Sequence, residues 1–248
     1  MWRTHSSAFA KEGSLPPLPQ RLVLPHMNSG EWRDYAHLNE FVFRGAFPSA
    51  GIETREDWLG RSESRETWYW PRVVLSDRAA AFRSEEYQMT NRYAATAFKL
   101  PAAHNWFEPL RKSVIDFAGG DTSSSLPPVI TYVSRQTWGR RSLRDADHKV
   151  LVAALMELKR DYGYEVNVVE MENLTAAEQI RISGRSTASG HVQPPSRVTL
   201  TRITLQILMG VHGNGLTALT WMKASTESTV MEFFLPGGFL SDYGWYVR

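Results

Sequence analysis

The chain has 248 residues, a formal net charge of +2, 42% hydrophobic and 22% charged residues, which are values typical of a globular protein. It contains no cysteine, and this excludes disulfides, thiolate metal sites and cysteine nucleophiles. No apolar run reaches the roughly 18 residues of a membrane-spanning helix, and the first residues lack the apolar core of a signal peptide, so the sequence predicts a soluble chain without a targeting segment.

The first half of the chain is rich in tryptophan, arginine and short polar connectors. Residues 13–26 predict extended backbone with one short strand, and residues 31–47 predict a helix. A further strand is predicted at 73–75. The turn-forming residues of 121–128 then mark a domain boundary near residue 125.

Strands and helices alternate regularly after this boundary. Apolar, β-branched runs predict the strands, while leucine spacing, acidic first turns and a glycine stop predict the helices. The predicted strands are 129–134, 164–171, 207–212 and 229–234, and the predicted helices are 145–163, 175–182 and 215–223. This alternation is typical of a parallel sheet with helices on both faces. We therefore predict an α/β fold for residues 126–248.

One segment interrupts the alternation. Residues 183–206 are polar, contain a Pro-Pro pair and show no periodicity. Connections within α/β units usually have about 2–6 residues. The segment is therefore predicted to be an insert outside the sheet, a functional loop or an error in the gene sequence.

Four arginines follow the first predicted strand of the second half. Ligands of open parallel sheets bind at the carboxyl ends of the strands. Clustered guanidinium groups repel one another unless an anion or carboxylates compensate them, and a diphosphate would do so through charge-assisted hydrogen bonds. Pairing with Asp145 and Asp147, or simple solvation, is the alternative. The four residues are Arg135, Arg140, Arg141 and Arg144.

The stretch GVHGNGLTALTWM (210–222) joins the third predicted strand to the next helix. Its glycines allow a ligand to approach the backbone, and a helix N-terminus offers free N–H groups to negative charge. His212 is placed to donate to a phosphate, and Asn214 is a candidate helix cap. The alternative is a tight turn with a buried, hydrogen-bonded histidine.

The last predicted strand carries Glu232. A carboxylate at a strand end of such a sheet often accepts hydrogen bonds from ribose hydroxyls, and a salt-bridged glutamate is the alternative. The sequence shows no spacing typical of metal ligands, so no metal site is predicted.

These motifs, in this order, resemble glycosyltransferase family 61. The resemblance is greatest to fungal-type members related to the EGF-domain O-GlcNAc transferase. It is carried by TYVSRQTWGRRSLRDADHKVLVAAL, YGYEVNVVEMENLTAAEQIR, ILMGVHGNGLTALTWM and STVMEFFLPGGFLSDYGW, and upstream by PHMNSGEWRDYAHLNEFVFRGAFPS. The Ser134-Arg135 strand end and the GVHGNGLT turn are its most specific parts, and the likeness covers most of the chain.

The resemblance implies a GT-B-like architecture of two Rossmann-like halves. Residues 1–125 would be a partial acceptor-side half, and residues 126–248 the nucleotide-sugar-binding half. The implied activity is inverting transfer of a GlcNAc- or xylose-class sugar from a UDP-sugar to an acceptor hydroxyl of a protein or glycan. No cofactor or metal would be required.

The resemblance also assigns the site residues. Ser134, Arg135 and Arg141 would belong to the nucleotide-sugar site, in which the two arginines hold the diphosphate. The glycine turn would present backbone N–H groups and the His212 side chain, and Glu232 would bind the ribose. The turn residues are Gly213, Asn214 and Gly215. No general base is identified.

The chain departs from the family pattern in three respects. The family has an N-terminal membrane anchor and more of the acceptor-side half, and it continues beyond Arg248. It also runs almost directly from helix to strand at 183–206, where we expect a retained intron. We expect the ER or Golgi lumen as location, with membrane contact only through the anchor that this chain lacks.

Two alternatives remain. One is an inactive remnant that binds a nucleotide sugar without turnover. The other is a basic nucleic-acid-binding protein, suggested by the pI of about 8.9. The sequence lacks a ribonucleoprotein motif and a helix-turn-helix pattern, so we expect no nucleic-acid partner.

Overall fold

The computed structural model describes residues 2–9, 16–34, 36–90, 93–120, 128–137, 141–185 and 205–239. The chain divides into two compact units, Met1–Ser113 and Val114–Arg248. Helices and parallel sheets occur together, so the predicted α/β class is confirmed. Residues 121–127, in which the domain boundary was predicted, lie outside the described residues.

The first unit consists of short helices and one small sheet. Strands β1 (Arg21–Val23) and β2 (Gly51–Glu53) pair in parallel, and β1 confirms the strand predicted within 13–26. The helices are α1 (Trp2–Ala8), α2 (Leu38–Ala46), α3 (Arg55–Glu63), α4 (Arg78–Phe82), α5 (Glu85–Thr90), α6 (Tyr93–Lys99) and α7 (Glu108–Phe117), which crosses the division between the units.

Two predictions in the first unit need correction. The helix predicted over 31–47 is confined to α2, because His37 before it adopts a left-handed conformation with φ of 54°. The strand predicted at 73–75 is wrong, since this segment pairs with no described strand and Val73 and Leu75 are 71% and 81% exposed. A short apolar run forms a strand only where a partner strand lies beside it.

A buried carboxylate joins two arginines in the first unit. Glu53, at the end of β2, is 5% exposed and accepts hydrogen bonds from Arg21 and Arg61. The Arg61 guanidinium also lies 4.1 Å from the ring centroid of Trp68, a distance typical of a cation–π contact. The buried Glu53 carboxylate is therefore compensated by the arginines that contact it.

The second unit contains a four-stranded parallel sheet. Its strands are β3 (Val129–Val133), β4 (Glu165–Val169), β5 (Gln206–Val211) and β6 (Ser228–Phe233), in the order β4-β3-β5-β6. The chain runs from β3 outwards to β4, then returns past β3 to β5. The direction of winding therefore changes between β3 and β5, which makes this the topological switch point of the sheet.

The two faces of the sheet have separate apolar cores. Helix α8 (Asp145–Tyr162) covers one face, where Leu155 packs with Ile130 and Tyr132. Its C-terminus is Gly163 in the left-handed conformation, at the predicted stop. Helix α9 (Ala176–Gly184) begins with the predicted capping box, in which the Thr175 N–H donates to the Glu178 carboxylate over 2.8 Å.

The second face is covered by a 3₁₀ segment. An ordinary helix was predicted over 215–223, but the structure has a 3₁₀ helix over Asn214–Trp221. Leu216, Leu219 and Met222 all belong to the core of this face. Their spacing of three residues explains the difference, because a 3₁₀ helix places every third residue on the same side.

The ends of the predicted insert belong to the fold. Ser183 and Gly184 are the last residues of α9, and Gln206 is the first residue of β5. The buried Gln206 side chain donates to the Ser183 carbonyl over 2.7 Å. The prediction that 183–206 lies outside the sheet is therefore wrong at Gln206, which begins an inner strand, while Ser183 and Gly184 extend α9 beyond its predicted end. Residues 186–204 lie outside the described residues.

Within the described ranges, no helix is both long and apolar enough to cross a membrane.

Candidate functional site

The carboxyl ends of β3, β5 and β6 meet at one edge of the sheet. Val133 at the end of β3 is in register with Gly210 of β5, which is in register with Glu232 of β6. Ser134 follows β3; it is buried, and its N–H donates to the Val169 carbonyl over 2.8 Å. This contact fixes the end of β3 to β4 and sets the direction in which the next residues leave the sheet.

Two arginines converge on one carbonyl at the switch point. Arg135 and Arg141 each direct Nη1 to the carbonyl oxygen of His212, at 3.3 and 3.4 Å. Two guanidinium groups in contact with one oxygen lie close enough to repel each other. An anion bound beside them would relieve this repulsion. The structure thus brings together two residues that the sequence assigned to a diphosphate site.

Gly213 leaves room for the Arg135 guanidinium as it lies in the structure. Its φ of +152° is rarely adopted by other residues, and a Cβ at this position would overlap Nη1 of Arg135. The guanidinium therefore lies directly against the bare backbone. The group that approaches this glycine in the structure is a side chain of the protein itself, and the approach of a ligand stays a prediction.

The other two turn residues have different surroundings. A Cβ on Gly215 would lie 2.9 Å from Cγ1 of Val133, so this glycine permits the turn to pack on β3. Asn214 is exposed, and the cap of the 3₁₀ segment is Gly213 without a side-chain cap bond. The prediction that Asn214 caps the helix is therefore wrong, because the segment begins at Asn214 itself.

His212 and Glu232 form a pair. Nδ1 of His212 lies 2.5 Å from Oε1 of Glu232, and both side chains are 13% exposed. The backbone N–H of His212 donates to the Phe233 carbonyl over 2.9 Å, and this bond joins the end of β5 to the end of β6 beside the pair. The imidazole ring also stacks on Phe234, with ring centroids 5.3 Å apart. The alternatives of a hydrogen-bonded histidine and a paired glutamate are both confirmed, and the ribose contact of Glu232 stays a prediction.

Gln136 is a positioning residue that the sequence did not reveal. Its side-chain amide donates to the Leu143 carbonyl over 3.0 Å and accepts from the Leu143 N–H over 3.1 Å. This double contact closes the base of the loop that carries Arg141. An isolated glutamine after a strand gives no periodic signal, so only its ability to pair with both backbone groups suggests such a role.

Arg144 does not join the converging arginines. Its Nε donates to the Asp147 carboxylate over 2.7 Å, and this hydrogen bond raises the pKa of the Arg144 guanidinium. Pairing with an acid at the start of α8, the alternative stated for the cluster, is therefore confirmed for this residue. Arg140 lies outside the described residues.

A tyrosine lies in the core of the sheet just before the site. The Tyr132 hydroxyl is 3.1 Å from Nδ1 of His148 on α8, and burial raises the pKa of the tyrosine. The contact fixes α8 against the end of β3, from which Arg135 extends.

The described residues form no metal site, and no similar protein helps to interpret the geometry. Among the described residues, no group of three or more histidine, aspartate or glutamate side chains is arranged to hold a metal ion. No protein-family model matches the chain, and no curated protein matches it.

Proposed function

We propose that the chain is a glycosyltransferase domain that binds a UDP-sugar at the carboxyl edge of its four-stranded sheet. The observation that carries the proposal is the convergence of Arg135 and Arg141 on the His212 carbonyl, beside Gly213 and at the switch point of the sheet. Clefts at such switch points are where open α/β sheets bind nucleotides.

The two arginines suit the leaving group of glycosyl transfer. An acceptor hydroxyl attacks the anomeric carbon of the sugar, the bond to the diphosphate oxygen breaks, and the configuration inverts. Negative charge then develops on UDP, and guanidinium groups fixed in advance stabilise it. This role replaces a divalent metal, so we propose metal-independent transfer. The described residues account for the leaving-group side, and the base that receives the acceptor proton is unassigned.

The resemblance to glycosyltransferase family 61 supports the same assignment. It extends the proposal to a GT-B-like architecture, a GlcNAc- or xylose-class sugar, a protein or glycan acceptor, and the ER or Golgi lumen as location. The α/β sheet of the second unit is compatible with this architecture. Binding of a nucleotide sugar without turnover is the nearest alternative, and a turnover assay separates the two.

The pairing of arginines argues against a nucleic-acid-binding surface. Arg33 and Arg44 both contact Glu40, Arg160 contacts Asp161, and Arg185 contacts Glu165. Each of these arginines lies against an acid, and Arg33 and Arg44 share one, whereas nucleic-acid binding requires a face on which positive charge accumulates.

Thermal protection by UDP tests the proposal. We expect UDP to raise the melting temperature in the presence of EDTA, because arginines rather than a metal hold the diphosphate. Arg135→Ala should abolish the shift by removing a charge-assisted hydrogen bond worth roughly 1.5–3 kcal/mol. Arg144→Ala is the matched control, since this exposed arginine pairs with Asp147, and it should leave the shift unchanged.

Two results would contradict the assignment. If EDTA removes the UDP shift, a metal is required. If Arg135→Ala responds to UDP as the original chain does, the diphosphate binds elsewhere.

A further inference from the structure

The His212–Glu232 pair lies next to the converging arginines and carries a charge that depends on one proton. His212 is the residue whose carbonyl Arg135 and Arg141 contact, and its ring is held by Glu232. Both side chains of the pair are 13% exposed, so solvent screens them little. A change of charge in this pair is therefore felt at the arginines.

The charge balance follows from the four groups. Arg135 and Arg141 contribute two positive charges. With a protonated imidazole, the His212–Glu232 pair is neutral and the four groups sum to +2. With a neutral imidazole, the Glu232 carboxylate is uncompensated and the sum falls to +1. Among the contacts of His212 described above, the charged groups come from the loop after β3 and from β6, and the ring also stacks on Phe234.

From this balance, we infer that His212 and Glu232 act as one proton-sharing unit that sets the charge of the diphosphate site. Glu232 then acts on the anion through His212, and its carboxylate opposes the diphosphate whenever the ring is neutral. This inference rests on the proposed anion site. The resemblance implies that Glu232 contacts the ribose, and the inference gives Glu232 a second role that does not involve the ribose.

The direction of the pH effect follows from the charges. Anion binding favours the protonated ring, so binding takes up a proton at His212. We therefore expect pyrophosphate affinity to be higher at pH 6.0 than at pH 8.5. Removing the Glu232 charge should have its larger effect at pH 8.5, where a neutral ring would leave the carboxylate without a partner charge.

Inorganic pyrophosphate separates the two roles because it has no ribose. We would measure its dissociation constant by calorimetry at pH 6.0 and pH 8.5 for the unsubstituted chain and for Glu232→Gln. The glutamine keeps an oxygen that accepts from His212 but carries no charge. At pH 8.5 we expect Glu232→Gln to bind pyrophosphate about three- to tenfold more tightly, as expected for one charge removed near the anion.

Glu227→Gln is a matched control for Glu232→Gln. Glu227 directly precedes β6, at the end of the strand opposite Glu232. Glu227→Gln removes the same charge from the chain and should leave pyrophosphate binding unchanged. Pyrophosphate itself titrates in this pH range, and comparing variants at one pH cancels that contribution.

A second measurement protects the test against a folding defect of Glu232→Gln. Calorimetry in two buffers of different ionisation enthalpy counts the protons taken up on binding. His212→Gln, which lacks the titrating ring, should take up fewer protons than the unsubstituted chain.

The outcomes are distinct. Unchanged or weaker pyrophosphate binding by Glu232→Gln, or equal proton uptake with and without His212, overturns the inference and leaves the anion site intact. Loss of UDP binding without any effect on pyrophosphate assigns Glu232 to the ribose alone. If pyrophosphate and UDP both fail to bind the unsubstituted chain, the proposed function falls as well.

Discussion

In the first unit, Arg21 and Arg61 donate to the Glu53 carboxylate, which is 5% exposed. In the second unit, Arg135 and Arg141 donate to the His212 carbonyl at the end of β5. The Glu53 carboxylate offers a full negative charge to the two arginines that contact it, whereas the His212 carbonyl offers only a partial negative charge. We therefore expect the first pair of arginines to stabilise the fold and the second pair to favour a bound anion.

The surroundings of the two clusters differ in the same way. The Arg61 guanidinium lies 4.1 Å from the Trp68 ring and 5.4 Å from the Trp70 ring, so aromatic surface covers it. Arg141 is exposed, and Arg135 lies against the bare backbone of Gly213. A structural arginine is enclosed by its partners, while a ligand-binding arginine is held in place and left accessible.

The largest effect is expected from Glu53→Gln in the first unit. Removing the charge leaves two guanidinium groups without their shared carboxylate, so the free energy of unfolding should fall by roughly 3 kcal/mol. Urea denaturation measures the loss, and UDP affinity measured below the transition should be retained. Asp161→Asn is the control, because the exposed Arg160–Asp161 pair should be lost without measurable destabilisation. A stable Glu53→Gln protein with weakened UDP binding would reverse the roles assigned to the two clusters.

The next effect is expected from Gly213→Ala. The new methyl group would overlap Nη1 of Arg135, so the guanidinium must move away from the site. We expect the dissociation constant of UDP to rise at least about tenfold, with about 1–3 kcal/mol of backbone strain. Calorimetry and thermal unfolding measure the two losses separately.

The control for backbone strain is Gly163→Ala. This glycine also has a positive φ, of 70°, but no atom lies within 4 Å of the position that the alanine methyl group would take. The substitution should lower stability by about 1–2 kcal/mol and leave UDP affinity unchanged. Equal loss of affinity in both variants would show that Gly213 serves the fold alone.

A smaller effect is expected from Gln136→Ala. Loss of both hydrogen bonds to Leu143 frees the base of the loop that carries Arg141, so UDP affinity should fall about three- to tenfold, as for one or two net hydrogen bonds. Gln136→Glu accepts from the Leu143 N–H but cannot donate to its carbonyl. The UDP affinity of this variant should therefore lie between those of the unsubstituted chain and Gln136→Ala. A double-mutant cycle with Arg141→Ala measures the coupling. Additive effects would mean that Gln136 does not act through Arg141.

Much of the second unit could be predicted because its elements follow local rules. β-branched runs specified the four strands, and the capping box and Gly163 fixed the ends of α9 and α8. The 3₁₀ form of Asn214–Trp221 was not predicted, because the three-residue spacing of Leu216, Leu219 and Met222 fits an ordinary helix as well as a 3₁₀ helix. The first unit was predicted less well, since its ion pairs join residues far apart in the chain.

The candidate site shows the same limit. Its residue types were evident from the strand ends and the glycine turn, which local sequence specifies. The contacts between these residues were not evident from the sequence. In the structure Gly213 contacts Arg135, Glu232 contacts His212, and Arg144 pairs with Asp147 instead of joining the other arginines. These contacts depend on the strand order, because the order decides which strand ends are neighbours.

The smallest effect is expected from deleting residues 188–204, which joins Thr187 to Leu205. The Gln206 side chain reaches the Ser183 carbonyl over 2.7 Å, so the two ends of the connection lie close together and a short loop can span them. Closure entropy changes slowly with loop length, so stability should rise by only about 1 kcal/mol or less, and UDP affinity should stay the same. Deleting 188–206 instead removes Gln206 and the Leu205 carbonyl, which accepts from the Val129 N–H over 2.9 Å. This longer deletion should destabilise the sheet at β3 and β5. The melting temperatures of the two deletion variants measure the difference in stability. If the deletion of 188–204 unfolds the protein, this segment is an integral part of the second unit.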